Sequence, residues 1–274
     1  MRSSVRPFGE LLRGWRERRH VSQLAFAGEA GISTRHLSFL ETGRSSPSRE
    51  MVLRLSRVLA VPLRERNALL HAAGFAPAFA ERPLTDPALE AARKAVDLVL
   101  RGHDPYPALA IDRHWTLVAF NDALPPLLTG ASAALVKPPI NVLRLSLHPD
   151  GLAPRIRNLP RWRAHLLERL RLQVEATADS TLSDLLRELT EYPAPTASGW
   201  VDHDGEECAG IAVPLELMTD EGVLSLISTT TIFGTPVDIT LSELALESFF
   251  PADPRTAELL AEAAARRRQA FVAA

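Results

Sequence analysis

Cysteine is almost absent from this sequence, and long apolar segments are missing. The single cysteine, Cys208, excludes a disulfide within the chain and most thiolate metal sites. No run of about 18 uninterrupted apolar residues occurs, and the first ten residues, MRSSVRPFGE, lack the apolar stretch of a secretory signal. These shortages predict a cytoplasmic protein with no membrane partner. At 46% hydrophobic residues, the 274-residue chain can fill the cores of about two domains.

Lysine and aspartate are missing from the first 80 residues. That segment contains 13 Arg and 6 Glu, which gives it a formal charge of +7. The remaining residues contain 18 Lys or Arg and 27 Asp or Glu, which gives them a formal charge of −9. A small basic domain beside a larger acidic one is typical of a protein that binds nucleic acid at one end. A solvated arginine-rich surface is the alternative interpretation.

Motifs typical of enzymes are also scarce. The sequence has no glycine-rich phosphate loop and no Gly-x-Ser-x-Gly turn. Residues 203–208, HDGEEC, group histidine, acids and the cysteine, which is the best candidate for a metal or nucleophilic site. Their spacing matches no regular metal site, and they fall in a predicted loop. We therefore expect no enzyme, no catalytic or metal-binding residue and no cofactor.

Residues 1–78 have the pattern of a small all-α domain with five helices. Three serines stand where helix caps are expected, namely Ser22, Ser33 and Ser48. Gly31 permits a positive φ, so we expect it to end the second helix in a tight turn, directly before the third helix begins. The following residues, 79–90, include two prolines and are predicted to be a linker.

The third predicted helix projects from this domain. Two short helices joined by such a turn cross at a steep angle, so the second of them can enter a major groove. If Leu37 and Leu40 face the core, four residues point outward, namely Arg35, Ser38, Phe39 and Thr42. The outward Phe39 ring either packs under the following loop or touches a thymine methyl group, and the sequence leaves both roles open.

Residues 22–59, SQLAFAGEAGISTRHLSFLETGRSSPSREMVLRLSRVL, resemble the helix-turn-helix of the Xre-type, phage-repressor-like DNA-binding domains. The resemblance implies double-stranded DNA, an operator or promoter, as the partner. It implies two sets of contacts, to base edges from Thr34, Arg35, Ser38 and Phe39, and to the DNA backbone from Gln23, Thr42 and Arg44. Ser33 completes the predicted DNA-binding residues. The resemblance also implies an internal ion pair between Arg16 and Glu41, with ordinary surface charge as the alternative.

Residues 91–274 have the pattern of an α+β domain with an antiparallel sheet and flanking helices. Two short apolar runs, 108–111 and 116–120, predict a hairpin. Residues 193–206 are predicted to be a surface loop, and residues 256–274 a terminal helix. Between them, a meander of three strands is predicted over 207–217, 222–233 and 237–250. On the middle strand of the meander, one face is predicted to carry Leu224, Leu226, Ser228 and Thr230.

Two segments of this domain carry a second resemblance. Residues 106–128, YPALAIDRHWTLVAFNDALPPLL, look like the opening of a PAS-type sensor domain, and residues 141–177 have a distinctive helical pattern around HPDG. Together with the first domain and LESFFPAD at 246–253, they resemble the MmyB-like transcription regulators, which join an Xre-type domain to a PAS-like ligand-binding domain. The resemblance implies a homodimer that acts on promoters and a small hydrophobic ligand, with a fatty acid as the leading suggestion.

Candidate ligand contacts are polar residues beside apolar walls, and we identify Asn121, Arg144, His148, Asn158 and Trp162. Four of them have a structural alternative, which is a helix cap for His148 and Asn158, a salt bridge for Arg144 and core packing for Trp162. The sequence thus predicts a sequence-specific DNA-binding transcription regulator that senses a small hydrophobic ligand. The alternative is an adaptor or antitoxin-like protein that acts mainly through protein binding.

Overall fold

The structure, a computed structural model, describes residues 6–193, 213–234 and 238–272. The chain divides into two compact units, of which the first comprises Met1–Pro83, Glu175–Thr177 and Thr235–Ser242. The second comprises Leu84–Val174, Ala178–Gly234 and Glu243–Ala274. The domain boundaries predicted above, 1–78, 79–90 and 91–274, stay predictions.

The first unit begins with five helices, as predicted, which are α1 (Phe8–Arg18), α2 (Gln23–Glu29), α3 (Thr34–Glu41), α4 (Arg49–Val58) and α5 (Leu63–Ala72). The three predicted serine caps are confirmed, because each hydroxyl accepts a hydrogen bond from a backbone N–H of the first turn of α2, α3 or α4. Gly31 has a φ of 64°, which confirms the predicted turn between α2 and α3.

The core of this unit is built from one face of each helix. Its largest fully buried side chains come from all five helices and include Leu12, Phe26, Leu37, Leu40, Leu55 and Leu70. Leu37 and Leu40 are spaced by three residues, so both lie on the inner face of α3 and leave the opposite face to solvent. Packing of α3 through these two leucines therefore fixes which of its residues can meet a partner.

The residues that follow α5 are held against it by polar contacts. The Asn67 side chain accepts hydrogen bonds from the backbone N–H groups of Ala78 and Phe79, and it donates one to the Phe79 carbonyl oxygen. Arg64 forms a two-pronged ion pair with Glu81 at 2.6 and 2.8 Å. The first residues of the predicted linker are therefore fixed to the helical unit.

The second unit is an α+β domain. Its helices are α6 (Glu90–Gly102), α7 (Val142–Leu147), α8 (Leu159–Thr177), α9 (Ser180–Glu191) and α11 (Pro254–Val272), with the last turn of α8 assigned to the first unit. A short helix, α10 (Ile239–Ser242), belongs to the first unit. The strands are β1 (Ala108–Ile111), β2 (Leu117–Phe120), β3 (Leu215–Thr219), β4 (Gly222–Ile232) and β5 (Ala245–Pro251).

The five strands form one antiparallel sheet in the order β2-β1-β5-β4-β3. The predicted β1–β2 hairpin and the antiparallel α+β fold class are confirmed. One face of the sheet packs on the main core of the domain, to which α7, α8 and α9 contribute. On the other face, Val96 and Leu100 of α6 pack with Ala108 and Ala110 of β1.

The predicted meander is correct in its centre and wrong at one flank. The strand predicted over 237–250 is instead helix α10 followed by β5, which begins at Ala245. The Asp238 side chain causes part of this difference, since it accepts a hydrogen bond from the backbone N–H of Thr240 and starts a helical turn. Residues 194–206 of the loop predicted over 193–206, and residues 207–212 of the strand predicted over 207–217, lie outside the described residues.

Candidate functional site

The exposed face of α3 is the first candidate site. Thr34, Arg35 and Thr42 are exposed, whereas Ser38 and Phe39 are half-buried. Arg44, just after the helix, is also exposed. In the described part of the chain, neither Arg35 nor Arg44 takes part in an ion pair, so both guanidinium groups remain available to an anionic partner such as DNA.

The ring of Phe39 lies beside the guanidinium of Arg35, with 5.3 Å between the Arg35 Cζ atom and the ring centroid. The Phe39 carbonyl oxygen accepts hydrogen bonds from the backbone N–H groups of Arg44 and Ser45 at 2.8 and 3.2 Å. The contact between the Phe39 ring and the Arg35 guanidinium orients the Arg35 side chain along the helix face. Both predicted roles of Phe39, packing and contact with a thymine methyl, stay predictions.

A buried ion pair supports α3 from below. Arg16 of α1 donates from Nε and Nη2 to the two carboxylate oxygens of Glu41, at 2.7 and 3.0 Å, which confirms the predicted internal pair. The hydrogen bond to Glu41 raises the pKa of Arg16 against the opposing effect of burial. Gln23, predicted to hold a phosphate, donates its side-chain amide to Glu41 at 2.8 Å. The Glu41 carboxylate thus connects α1, α2 and α3.

The remaining predicted DNA contacts have local structural roles as well. The Ser33 hydroxyl caps α3, and the Thr42 hydroxyl donates to the Ser38 carbonyl oxygen at 2.7 Å. Six of the eight predicted residues thus lie on one continuous segment, 33–42, and Arg44 extends it. Their contacts with DNA stay predictions.

The second candidate site is an apolar cavity of about 90 Å³ between the sheet and the helices of the second unit. Its walls include Leu109, Leu117, Leu217 and Leu226 from the strands, and Leu145 and Trp162 from the helices. Such a cavity, lined by apolar groups with few polar ones, is the usual form of a small-molecule site. It lies within the second unit alone.

The polar groups of the cavity lining lie mostly at one place. Arg169 of α8 and Glu247 of β5 form an ion pair there, with 2.6 Å between Nη2 and Oε1. The hydroxyl of Ser228 on β4 also lines the cavity. Elsewhere in the lining, the Ser146 hydroxyl accepts a hydrogen bond from Trp162 Nε1 at 3.0 Å.

Of the five predicted ligand contacts, Trp162 lines the cavity. Asn121 is buried and donates to the carbonyl oxygens of Leu100 and Tyr106, while its own oxygen accepts from the N–H of Ala108, so it holds the start of the sheet together. As a ligand contact it stays a prediction.

The other three predicted contacts make structural interactions outside the lining residues. Arg144 pairs with Glu188 through two hydrogen bonds of 2.7 Å, which lower the pKa of the Glu188 carboxyl group. His148 accepts a hydrogen bond from the N–H of Asp150, and Asn158 binds the backbone of Pro214 and Glu216. The salt bridge is the structural alternative for Arg144. His148 stands at the C-cap position of α7 and Asn158 at the N-cap position of α8, but the Asn158 side chain makes no cap hydrogen bond.

Sequence reasoning missed Arg169, Glu247 and Ser228. One signal existed for Arg169, because it follows Trp162 and Leu166 at helical spacing and so occupies a position of the buried stripe of α8. Ser228 was placed on the correct face of β4, together with Leu226. Nothing local marks Glu247, whose partner Arg169 is 78 residues away in the sequence.

Two classes of site are not found in the described residues. Nowhere in 6–193, 213–234 or 238–272 do three or more His, Cys, Asp or Glu side chains come together as a metal site. Across the same ranges, no helix combines the length and apolarity needed to cross a membrane. The HDGEEC segment at 203–208 lies outside the described residues.

Two family models match the chain, one in each part. Residues 7–69 match the model of a helix-turn-helix domain. Residues 92–263 match the model of the MmyB-like transcription regulator ligand binding domain. No curated protein matches the chain.

A helix-turn-helix domain joined to a ligand-binding domain defines a transcription regulator that binds DNA and a ligand. Because the ligand-binding match covers more than half of the 274 residues, the chain belongs to the family of MmyB-like transcription regulators. Both family resemblances predicted from the sequence are confirmed.

Proposed function

We propose that this protein is a homodimeric regulator that reads a specific operator through the exposed face of α3. The observation that supports this proposal is a pair of exposed arginines, Arg35 on α3 and Arg44 just after it, where the inner face of the helix is fixed by Leu37 and Leu40. Arg35 is the proposed contact to a guanine edge, and Arg44 is the proposed contact to a phosphate. A dimer is proposed because one such helix covers only a few base pairs, and paired half-sites supply affinity.

The cavity in the second unit is the proposed sensor site, and we propose that it takes a small hydrophobic ligand. The family resemblance suggests a fatty acid, and the apolar lining supports the hydrocarbon part of that suggestion. Ligand binding would shift the dimer between conformations that differ in DNA affinity. The protein thus acts through binding and not through catalysis.

Arginine substitutions on α3 and after it test the DNA-binding proposal. Duplexes selected from a random library by the full-length protein should bind with an affinity that falls steeply as salt rises. Arg44→Ala should weaken binding to all sequences alike and reduce the slope of log affinity against log salt by about 1, because one phosphate contact is lost. Fluorescence anisotropy at several salt concentrations measures both effects.

Arg13→Ala is the matched control. Arg13 is an exposed arginine of α1 that pairs with Glu17 at 2.7 Å, so its loss removes the same charge from the same unit at a different surface. We expect it to leave the slope unchanged. An equal loss of DNA affinity in both variants would show that binding depends only on the net charge of the unit. Binding to a partner protein without affinity for DNA would favour an adaptor.

The ligand proposal has a separate test. A native mass spectrum of the purified protein should show a species of added mass that disappears after extraction with organic solvent. A hydrophobic ligand that binds the folded state should also raise the midpoint of thermal unfolding. A single unliganded mass, and no shift with any apolar compound, would contradict the proposed sensor role.

A further inference from the structure

A charged pair lies inside the otherwise apolar cavity. Arg169 donates to Glu247 at 2.6 Å from Nη2 and at 3.4 Å from Nη1, and the Glu247 side chain is only 6% exposed. The Thr230 hydroxyl also donates to Glu247, at 2.8 Å, and the Arg169 guanidinium lies 4.9 Å from the centroid of the Trp115 ring. The positive charge of Arg169 is therefore neutralised by the protein itself.

No second charge in the described lining alters this balance. Arg169 and Glu247 are the two charged residues among the lining residues. His165, one turn before Arg169 on α8, is partly buried, and burial together with the Arg169 charge lowers its pKa, which favours its uncharged form. The cavity therefore offers a ligand no unpaired positive charge.

An ionised carboxylate would bind poorly in this environment. It would have to share the Arg169 guanidinium with Glu247, which would leave one negative charge without a counter-ion in apolar surroundings. An uncharged hydroxyl needs no counter-ion. The Ser228 hydroxyl, which makes no hydrogen bond within the described part of the chain, can either donate to such a group or accept from it.

We infer that the cavity selects an uncharged amphiphile, an apolar chain with a hydroxyl head, over the ionised carboxylate of the same chain. This inference rests on the proposed ligand-binding function and adds the chemistry of the head group to it. Glu247 is the residue that sets the preference, because its carboxylate occupies the place at Arg169 that an anionic head would take. Ser228 is the proposed contact of the hydroxyl.

The volume of the cavity sets the length of the first probes. An apolar protein cavity of about 150 Å³ holds benzene, so about 90 Å³ suits a chain of few carbons, and longer chains must displace lining side chains. Suitable matched pairs are therefore 1-hexanol with hexanoate and 1-decanol with decanoate. The longer pair tests the fatty-acid suggestion directly.

Calorimetric titration of the full-length protein at pH 7.5 compares the two members of each pair. We expect the wild-type protein to bind the alcohol at least about tenfold more tightly than the carboxylate. Glu247→Gln should strengthen carboxylate binding by about tenfold, because Arg169 loses its internal partner. Ser228→Ala should weaken binding of the alcohol and leave that of the carboxylate unchanged.

Glu216→Gln is the matched control. Glu216 lies on β3 of the same sheet and forms an ion pair with Arg157 at 2.6 Å, but it does not line the cavity. It should leave the preference unchanged. A wild-type preference for the carboxylate, or a preference unaltered in folded Glu247→Gln, would overturn the inference while ligand binding itself stands. Failure of all four compounds to bind would overturn the sensor proposal as well. If Glu247→Gln does not fold, the wild-type and Ser228→Ala comparisons decide.

Discussion

Replacement of Glu41 by glutamine is expected to lower the free energy of unfolding of the N-terminal unit by about 3–5 kcal/mol. The Arg16 guanidinium is buried, and Glu41 is its partner at 2.7 and 3.0 Å. A neutral amide at position 41 would remove the buried counter-charge of that guanidinium, which would keep only the exposed Glu17 carboxylate, 3.7 Å from Nη2. The same change removes an acceptor of the Gln23 amide, so α1, α2 and α3 all lose a connection.

Hydrogen exchange of backbone amides in the full-length protein measures this effect separately from the stability of the other unit. The amides of α1 and α3 should exchange faster by a factor that corresponds to the lost free energy. Glu17→Gln is the control, because it removes the exposed partner of Arg13 and, at 3.7 Å, of the same Arg16 guanidinium, and exposed pairs are worth less than about 1 kcal/mol. Equal exchange rates in the two variants would show that the buried pair stabilises the unit no more than the exposed pair does.

Gly9→Ala should destabilise the N-terminal unit, although alanine is the better helix former. A Cβ atom at Gly9 would lie 2.5 Å from the carbonyl oxygens of both Leu40 and Glu41, at the end of α3. Because these are backbone atoms, α1 and α3 have to separate. We expect a loss of about 1–3 kcal/mol in the free energy of unfolding and weaker DNA binding, since α3 is displaced.

Gly14→Ala on the same helix is the matched control. A Cβ atom there meets no atom within 4 Å, so only helix propensity acts, and the variant should gain about 0.5–1 kcal/mol. Opposite signs in thermal unfolding are the expected result, and only Gly9→Ala should weaken DNA binding. A gain in stability for both would contradict the close approach of α1 to α3.

The N-terminal unit was predictable because its signals are local. Each serine accepts a hydrogen bond from an N–H group three residues further along the chain, and the positive φ at Gly31 is a property of one residue. The outward face of α3 follows from the positions of Leu37 and Leu40 on one helix. Such short-range rules do not depend on where the rest of the chain lies.

The ligand site was harder to predict because its polar residues meet across long sequence separations. Arg169 and Glu247 come from different elements and acquire their role only when α8 covers β5. Asn121 stands next to a strand and looked available, but its side chain is bound by three backbone groups that lie before β1 and at its first residue. A sequence shows that a residue is polar, and only the fold shows which partner has already satisfied it.

A scan of single base-pair changes in the selected operator, bound by the wild-type protein and by Arg35→Ala, tests the central claim most directly. If α3 reads the sequence, the variant should lose discrimination at one base pair of each half-site, by about 1–3 kcal/mol, and keep it elsewhere. A uniform loss of affinity at every position, with the pattern of discrimination intact, would contradict the assignment of α3 as the helix that reads DNA.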